Sequence, residues 1–312
     1  MAKAKQAPNL DSSSDLYDWA SEVLMLRFDE VTSFGEAVLV PWNVNAVHDM
    51  RVALRRLRSA LRDFADIIDG KSFRRIKVDL KRVADALGQV RDRDVAVISL
   101  EGMAGQSPDE TVGAGLKSLI NDLRIARERS YIRMRRTLDA VSLTKLQTRF
   151  LRRISESLSQ QELFRPSSMS DVARRIIDSR IDDVIDLGPQ IYLPFDRSKL
   201  HELRMATKRL RYAIEIFSPC WQGELDGFAK EMARLQSYLG DVHDYDLWIE
   251  DVSQRLTTEA AKESESSRAA AAWLLTLFVE KRGKEYSRAV RLWRQWVDKG
   301  LVQHFRAEIK KV

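Results

Sequence analysis

A basic, amphipathic segment occurs twice in this chain. His48-Asp49-Met50-Arg51-Val52-Ala53-Leu54-Arg55-Arg56-Leu57-Arg58-Ser59-Ala60-Leu61-Arg62-Asp63-Phe64 returns as His201-Glu202-Leu203-Arg204-Met205-Ala206-Thr207-Lys208-Arg209-Leu210-Arg211-Tyr212-Ala213-Ile214-Glu215-Ile216-Phe217. Wound as a helix at about 100° per residue, the first copy gathers His48, Arg51, Arg55, Arg58 and Arg62 into an arc of roughly 80°. Val47, Met50, Leu54, Leu57, Leu61 and Phe64 fill the adjoining arc, the pattern of a helix packed on a core. The second copy sets His201, Arg204, Lys208 and Arg211 in the same register beside Leu200, Leu203, Thr207, Leu210, Ile214 and Phe217. Only Glu215, opposite Arg62, breaks the charge.

A helix charged merely for solubility interleaves acids with bases four residues apart. Here Asp49, Asp63 and Glu202 fall off the stripe, and only Asp66 returns to its edge. Cations held side by side repel, so the stripes call for an anion or for carboxylates from other helices. A phosphate-rich anion is the working expectation. Arg56 and Arg209 point about 80° to the other side of each stripe, either into solvent or toward a ligand.

Other matches extend the repeat. Leu87-Gly88-Gln89-Val90-Arg91-Asp92-Arg93-Asp94 aligns with Leu239-Gly240-Asp241-Val242-His243-Asp244-Tyr245-Asp246, and Arg127, Tyr131, Arg133 and Leu138 align with Arg282, Tyr286, Arg288 and Trp293. The expectation is an all-α chain of two pseudo-symmetric four-helix bundles from an internal duplication, around a central basic cavity. With only 13 Gly and 7 Pro in 312 residues, long helices are favoured over a turn-rich β-fold. Residues 1–14 read as a flexible leader, 15–165 as the first half and 166–312 as the second.

In the first half, helices are expected from Asp15 to near Pro41, from Asn43 to Gly70, from after Gly70 through Ile98, and from Leu116 to Ala140. Thr144 to Gln161 is expected to link the halves. The second half repeats the plan with Val172 to Leu187, the second stripe, a helix from about Gly223, and Ala269 to Val297. Lys77 and Lys81 lie on the basic flank of the third helix, as does Gly88. A glycine there serves either the close approach of an anion or close helix packing.

Asp94 and Asp246 project onto apolar faces, and Arg127 and Arg282 do the same on the fourth helix of each half. Unpaired buried charge is costly, so each aspartate is expected to contact an arginine, most simply Arg127 and Arg282 respectively, fixing its orientation. The alternative is that these pairs only hold the fold together. His48 and His201 begin their stripes, where helix dipole and backbone donors favour an anion. They could donate to phosphate, add charge at mildly acidic pH, or simply cap and pack.

With four histidines and no i,i+4 pair of them, no protein-held metal and no cofactor is expected. A single cysteine, Cys220, excludes an internal disulfide framework and suits a reducing cytoplasm. No run approaches the ~18 apolar residues of a membrane span. No Walker loop, nucleophile elbow or Ser or Cys with its base stands out, so binding is favoured over catalysis. The net charge of +6 is modest unless concentrated in one groove.

At His48-x-x-Arg51-Val52-x-x-Arg55-Arg56-Leu57-Arg58, its partner His201-x-x-Arg204-x-x-x-Lys208-Arg209-Leu210-Arg211, and the Leu-Gly-x-Val-x-Asp-x-Asp segments, the chain resembles the CHAD family, the conserved histidine α-helical domain. The resemblance runs from about Leu16 over almost the whole chain. It implies two helical bundles around a basic channel that binds inorganic polyphosphate, association with polyphosphate granules, and no catalysis by the domain itself. His48, Arg51, Arg55, Arg58, Arg62, Lys77, Lys81, Arg127, His201, Arg204, Lys208, Arg211 and Arg282 are the candidate ligand contacts, with Asp94 and Asp246 as orienting carboxylates. Lys208 for arginine, Glu215 opposite Arg62 and His243 opposite Arg91 imply a weaker grip by the second half. The competing readings are a nucleic-acid backbone binder and a polyphosphate-processing enzyme using a divalent ion at Asp92, Asp94, Asp244 and Asp246.

Overall fold

The computed structural model describes residues 15–65, 68, 71, 73–159, 168–257 and 264–311. The expected leader, the boundary near 165 and the helix end at Gly70 lie outside these residues. Among those described there is no strand. Ten α-helices follow in order: α1 Leu16–Thr32, α2 Val44–Asp63, α3 Arg74–Ala104, α4 Glu110–Val141, α5 Leu143–Ser159, α6 Met169–Leu187, α7 Arg197–Phe217, α8 Asp226–Leu256, α9 Glu265–Asp298 and α10 Leu301–Ile309.

Local chemistry starts these helices. The Asp15 carboxylate accepts from the amides of Tyr17 and Asp18, and Asn43, Asp109, Ser168, Asp196 and Ser264 cap α2, α4, α6, α7 and α9 in the same way. The first helix stops at Thr32 rather than near Pro41, because residues 33–36 form turns and a short 3-10 segment, Ala37–Leu39, buries Val38. The second stops at Asp63, where Phe64 and Ile68 turn into the core.

Helices α3 and α4 form one long hairpin, and α8 and α9 form another. The stripe helices each lie between a shorter helix and a hairpin: α2 between α1 and α3, α7 between α6 and α8. The two main contacts from one half to the other are α2 against α7 and α4 against α9. Helix α5 packs back on α1, α3 and α4, where Phe150 meets Phe28 at 4.6 Å and Phe73 at 5.8 Å.

The main core is continuous across the halves. Leu54, Leu57 and Phe64 of the first half belong to the same buried cluster as Leu210, Phe217 and Trp221 of the second, and the rings of Phe64 and Phe217 meet edge-on at 5.7 Å. Each such fully buried side chain contributes about 1.5–3 kcal/mol relative to exposure. A second core lies toward the tips of the hairpins, where Val97, Leu100 and Leu116 pack with Val252, Leu274 and Phe278. At that crossing a Cβ on Gly115 would lie 2.1 Å from the Ser266 carbonyl oxygen, so only glycine lets α4 and α9 approach so closely.

Candidate anion-binding site

Helices α2 and α7 touch, and charges of the two stripes act on one another. Burial lowers the Arg204 guanidinium below its usual range; Asp244 opposes this, and Arg55 and Arg51 of the other stripe add to it. Burial, then Arg204, Arg55, Arg62 and Arg209, pull Lys208 down to about 7. Burial likewise lowers Arg62, with Asp63 opposing and Arg209, Arg180 and Arg58 reinforcing. Cations from both halves therefore share one neighbourhood.

Carboxylates neutralise this group only in part. Arg51 donates to Asp92 Oδ1 at 2.8 Å and to the Gly88 carbonyl at 3.3 Å. Among the described residues Arg55, Arg58, Arg204 and Lys208 form no ion pair, and the buried Nε atoms of Arg55, Arg204 and Arg209 have no hydrogen-bond acceptor. Lys208 Nζ lies 2.9 Å from Met205 Sδ, a weak acceptor. Such donors carry a desolvation cost that an incoming oxyanion would relieve.

The glycine on the flank of α3 lies against a side chain of the packed helix α2. A Cβ on Gly88 would lie 3.2 Å from Arg51 Nη1, and one on Gly240 would lie 3.4 Å from Arg204 Nε. In each half the missing side chain makes room for a stripe arginine to cross the neighbouring helix.

The buried pairs form as expected. Arg127 Nε donates to Asp94 Oδ1 at 2.9 Å, and Arg282 Nε donates to Asp246 Oδ1 at 2.6 Å. The ligand role assigned to these arginines does not survive. Arg127 is fully buried, its guanidinium stacked 4.3 Å from the Trp42 ring centroid, and Arg282 is committed to Asp246 and to the Pro194 carbonyl at 2.7 Å. Tyr131 and Tyr286 brace the same regions by donating to the carbonyls of Leu39 and Ile191. A further arginine, Arg197, places Nε 3.3 Å from Asp246 Oδ1.

Arg211 is also withdrawn from the stripe. It is buried, with Nε 3.1 Å from Glu215, which also receives Arg56 Nε at 3.3 Å from across the seam. Arg56 thus faces neither solvent nor ligand, and Glu215 joins the halves rather than leaving an empty stripe position. Arg180 adds a second link by donating to the buried Asp63 at 3.2 Å.

The histidines stay at the stripe N-termini, but burial and cationic neighbours lower both. Arg91 is the largest charged contributor at His48; at His201 it is His243, whose ring centroid lies 4.7 Å away. Protonation at mildly acidic pH is therefore opposed, and the neutral rings remain as hydrogen-bond donors. Arg91, half-buried beside Arg51 and Arg55, joins the group. Its place beside Gly88 in the repeated segment was the available signal.

On the first half the stripe opens into a cleft of about 560 Å³ between the end of α2 and the start of α3. Arg58, Arg62, Lys71, Arg74, Lys77 and Lys81 line it. Lys77 and Lys81 thus lie where the flank pattern set them, beside Arg58 and Arg62. Lys71, which sequence reasoning passed over, comes from the connecting segment and has no helical register to mark it. Among the described residues no group of three His, Cys, Asp or Glu side chains is placed to hold a metal ion. Asp94 and Asp246, candidates for such a site, are engaged by arginines.

The family model described as CHAD domain matches residues 22–253, well over half of the chain. The chain belongs to the CHAD family. The CHAD domain from the plant Ricinus communis, in its crystal structure, superposes with a TM-score of 0.71 at 20% identity, covering 98% of this chain and 96% of that one. PptA from Streptomyces chartreusis superposes with a TM-score of 0.61 at 16% identity, over 90% of this chain and 99% of its own. At these identities the likeness is one of fold, and it carries the CHAD architecture through α9 and α10, beyond the span of the family match. Comparison with curated proteins gave no match.

Proposed function

We propose that this CHAD protein binds inorganic polyphosphate without transforming it, in the cytoplasm and on polyphosphate granules. The observation that carries this reading is the convergence of Arg51, Arg55, Arg62, Arg204 and Lys208; burial first, and then Arg204, Arg55 and Arg62, lower the lysine to about 7. A fold that accepts such repulsion gains most from a ligand with closely spaced negative charges. Arginines one helical turn apart offer forked donors about every 5–6 Å, suited to a polymer whose every unit is an oxyanion.

Nucleic acid fits less well, because no aromatic ring interleaves with Arg51, Arg55, Arg58 and Arg62 to stack on bases. The chemistry argues against turnover as well: of Asp92, Asp94, Asp244 and Asp246, which a metal-assisted mechanism would use, the first two and the last are already bound by Arg51, Arg127 and Arg282.

Charge reversal of Arg51, Arg55, Arg204 and Lys208 together to Glu should abolish retention on long-chain polyphosphate, while circular dichroism stays helical. Retention by the wild type should fall steeply with salt and should resist competition by RNA and DNA at fixed ionic strength. Undiminished retention by the quadruple variant would refute the assignment. Phosphate release by purified protein with magnesium or manganese would refute its non-catalytic part.

A further inference from the structure

The two halves match in their central cations but not at the ends of their stripes. Helices α3 and α8 both have 31 residues and align from their first residue, so Arg74, Lys77 and Lys81 stand opposite Asp226, Ala229 and Ala233. On the stripes, Arg62 stands opposite Glu215, and exposed Arg58 stands opposite Arg211, which is buried against Glu215. The first half thus ends in six cations around an open cleft, whereas the second has at the matching positions two acids, two alanines and an arginine paired with one of those acids. Among the described residues that line the cleft none is aromatic and none is a carboxylate. Counting Asp85, 3.4 Å from Lys81, against the six cations still leaves a positive surplus among the described residues.

Arg62 links the cleft to the convergent group: it lines the cleft, and it stands one helical turn beyond Arg58 on the stripe that carries Arg51 and Arg55. We infer that a bound polyphosphate chain leaves the stripes on one side only, running past Arg62 into the cleft of the first half, which makes that cleft a subsite for long chains. This inference rests on the proposed function. A short chain is satisfied by Arg51, Arg55, Arg204 and Lys208. Only a longer one reaches Lys77 and Lys81, so affinity should rise with length until the cleft is filled.

The test compares two double variants of equal charge, Lys77→Gln/Lys81→Gln in the cleft and Lys230→Gln/Arg234→Gln on the opposite half. Binding is measured by calorimetry with size-fractionated short and long polyphosphate over a salt series. For long chains the cleft variant should lose roughly tenfold or more in affinity, and its log–log salt slope should fall by about two, one per lost phosphate contact. Its affinity for short chains should match the wild type, and the control variant should match at both lengths. Equal losses in the two variants, or none in either, would overturn the one-sided path while leaving wild-type binding intact. A loss confined to RNA would overturn it in favour of a nucleic-acid surface. If the wild type binds polyphosphate of neither length, the proposed function fails and takes the subsite with it.

Discussion

Lys208 shows how one side chain can couple binding to protons. In the unfolded chain it would titrate near 10.5, and in the fold burial and four arginines bring it to about 7. Below 7 both states hold the proton and the fold bears the full penalty. Between 7 and 10.5 the unfolded chain holds a proton that the folded chain has released, so this residue makes stability rise with pH in that window. A phosphate oxygen nearby would raise Lys208 again, so binding should take up protons, and affinity should decline as pH climbs past 7. Lys208→Met should raise the melting temperature of the ligand-free protein by a few degrees at pH 6, with the gain shrinking toward pH 10. It should also weaken polyphosphate binding roughly tenfold at pH 6. Scanning calorimetry and titration in buffers of different ionisation enthalpy would measure both; a destabilised Met variant would contradict the crowding of cations around this site.

Among the elements, the path of Arg51 from α2 across α3 depends on an absence of side chain. Gly88→Ala adds a methyl 3.2 Å from Arg51 Nη1, the mobile end of a flexible side chain. Alanine favours a helix interior by about 0.5–1 kcal/mol over glycine, so stability should hold or rise while short-chain polyphosphate affinity drops severalfold. A variant with unchanged affinity would show that the position of Arg51 across α3 is immaterial. Much at this scale was legible in the sequence. Period-3.6 patterning placed the stripes, and charges on apolar faces revealed Asp94 with Arg127 and Asp246 with Arg282. A helical projection cannot see partners from distant elements, and there it erred: Arg56 meets a glutamate 159 residues away, and Trp42 closes over Arg127. The same glutamate withdraws Arg211, so a position counted as a ligand contact proved to be a clasp.

In the whole molecule, the repeated sequence suggests two bundles, yet a single main core runs through both. Phe64 and Phe217 would each lose a neighbour if the halves were parted, and Arg56, Arg211 and Glu215 would lose a shared ion group. Residues 15–165 and 166–312 produced separately should therefore fail to show a cooperative thermal transition, and mixing them should recover one. A sharp transition in either fragment alone would contradict that expectation.

The halves are tied at two distinct places, α2 on α7 and α4 on α9. Bracing at both points opposes a jaw-like opening of the halves. On the proposed function the site would meet the polymer already in shape, and the loss of freedom on association would fall on the flexible chain, whose every ordered bond subtracts from the attraction. Stiff, preordered phosphate arrays should then be held more tightly, unit for unit, than slack ones.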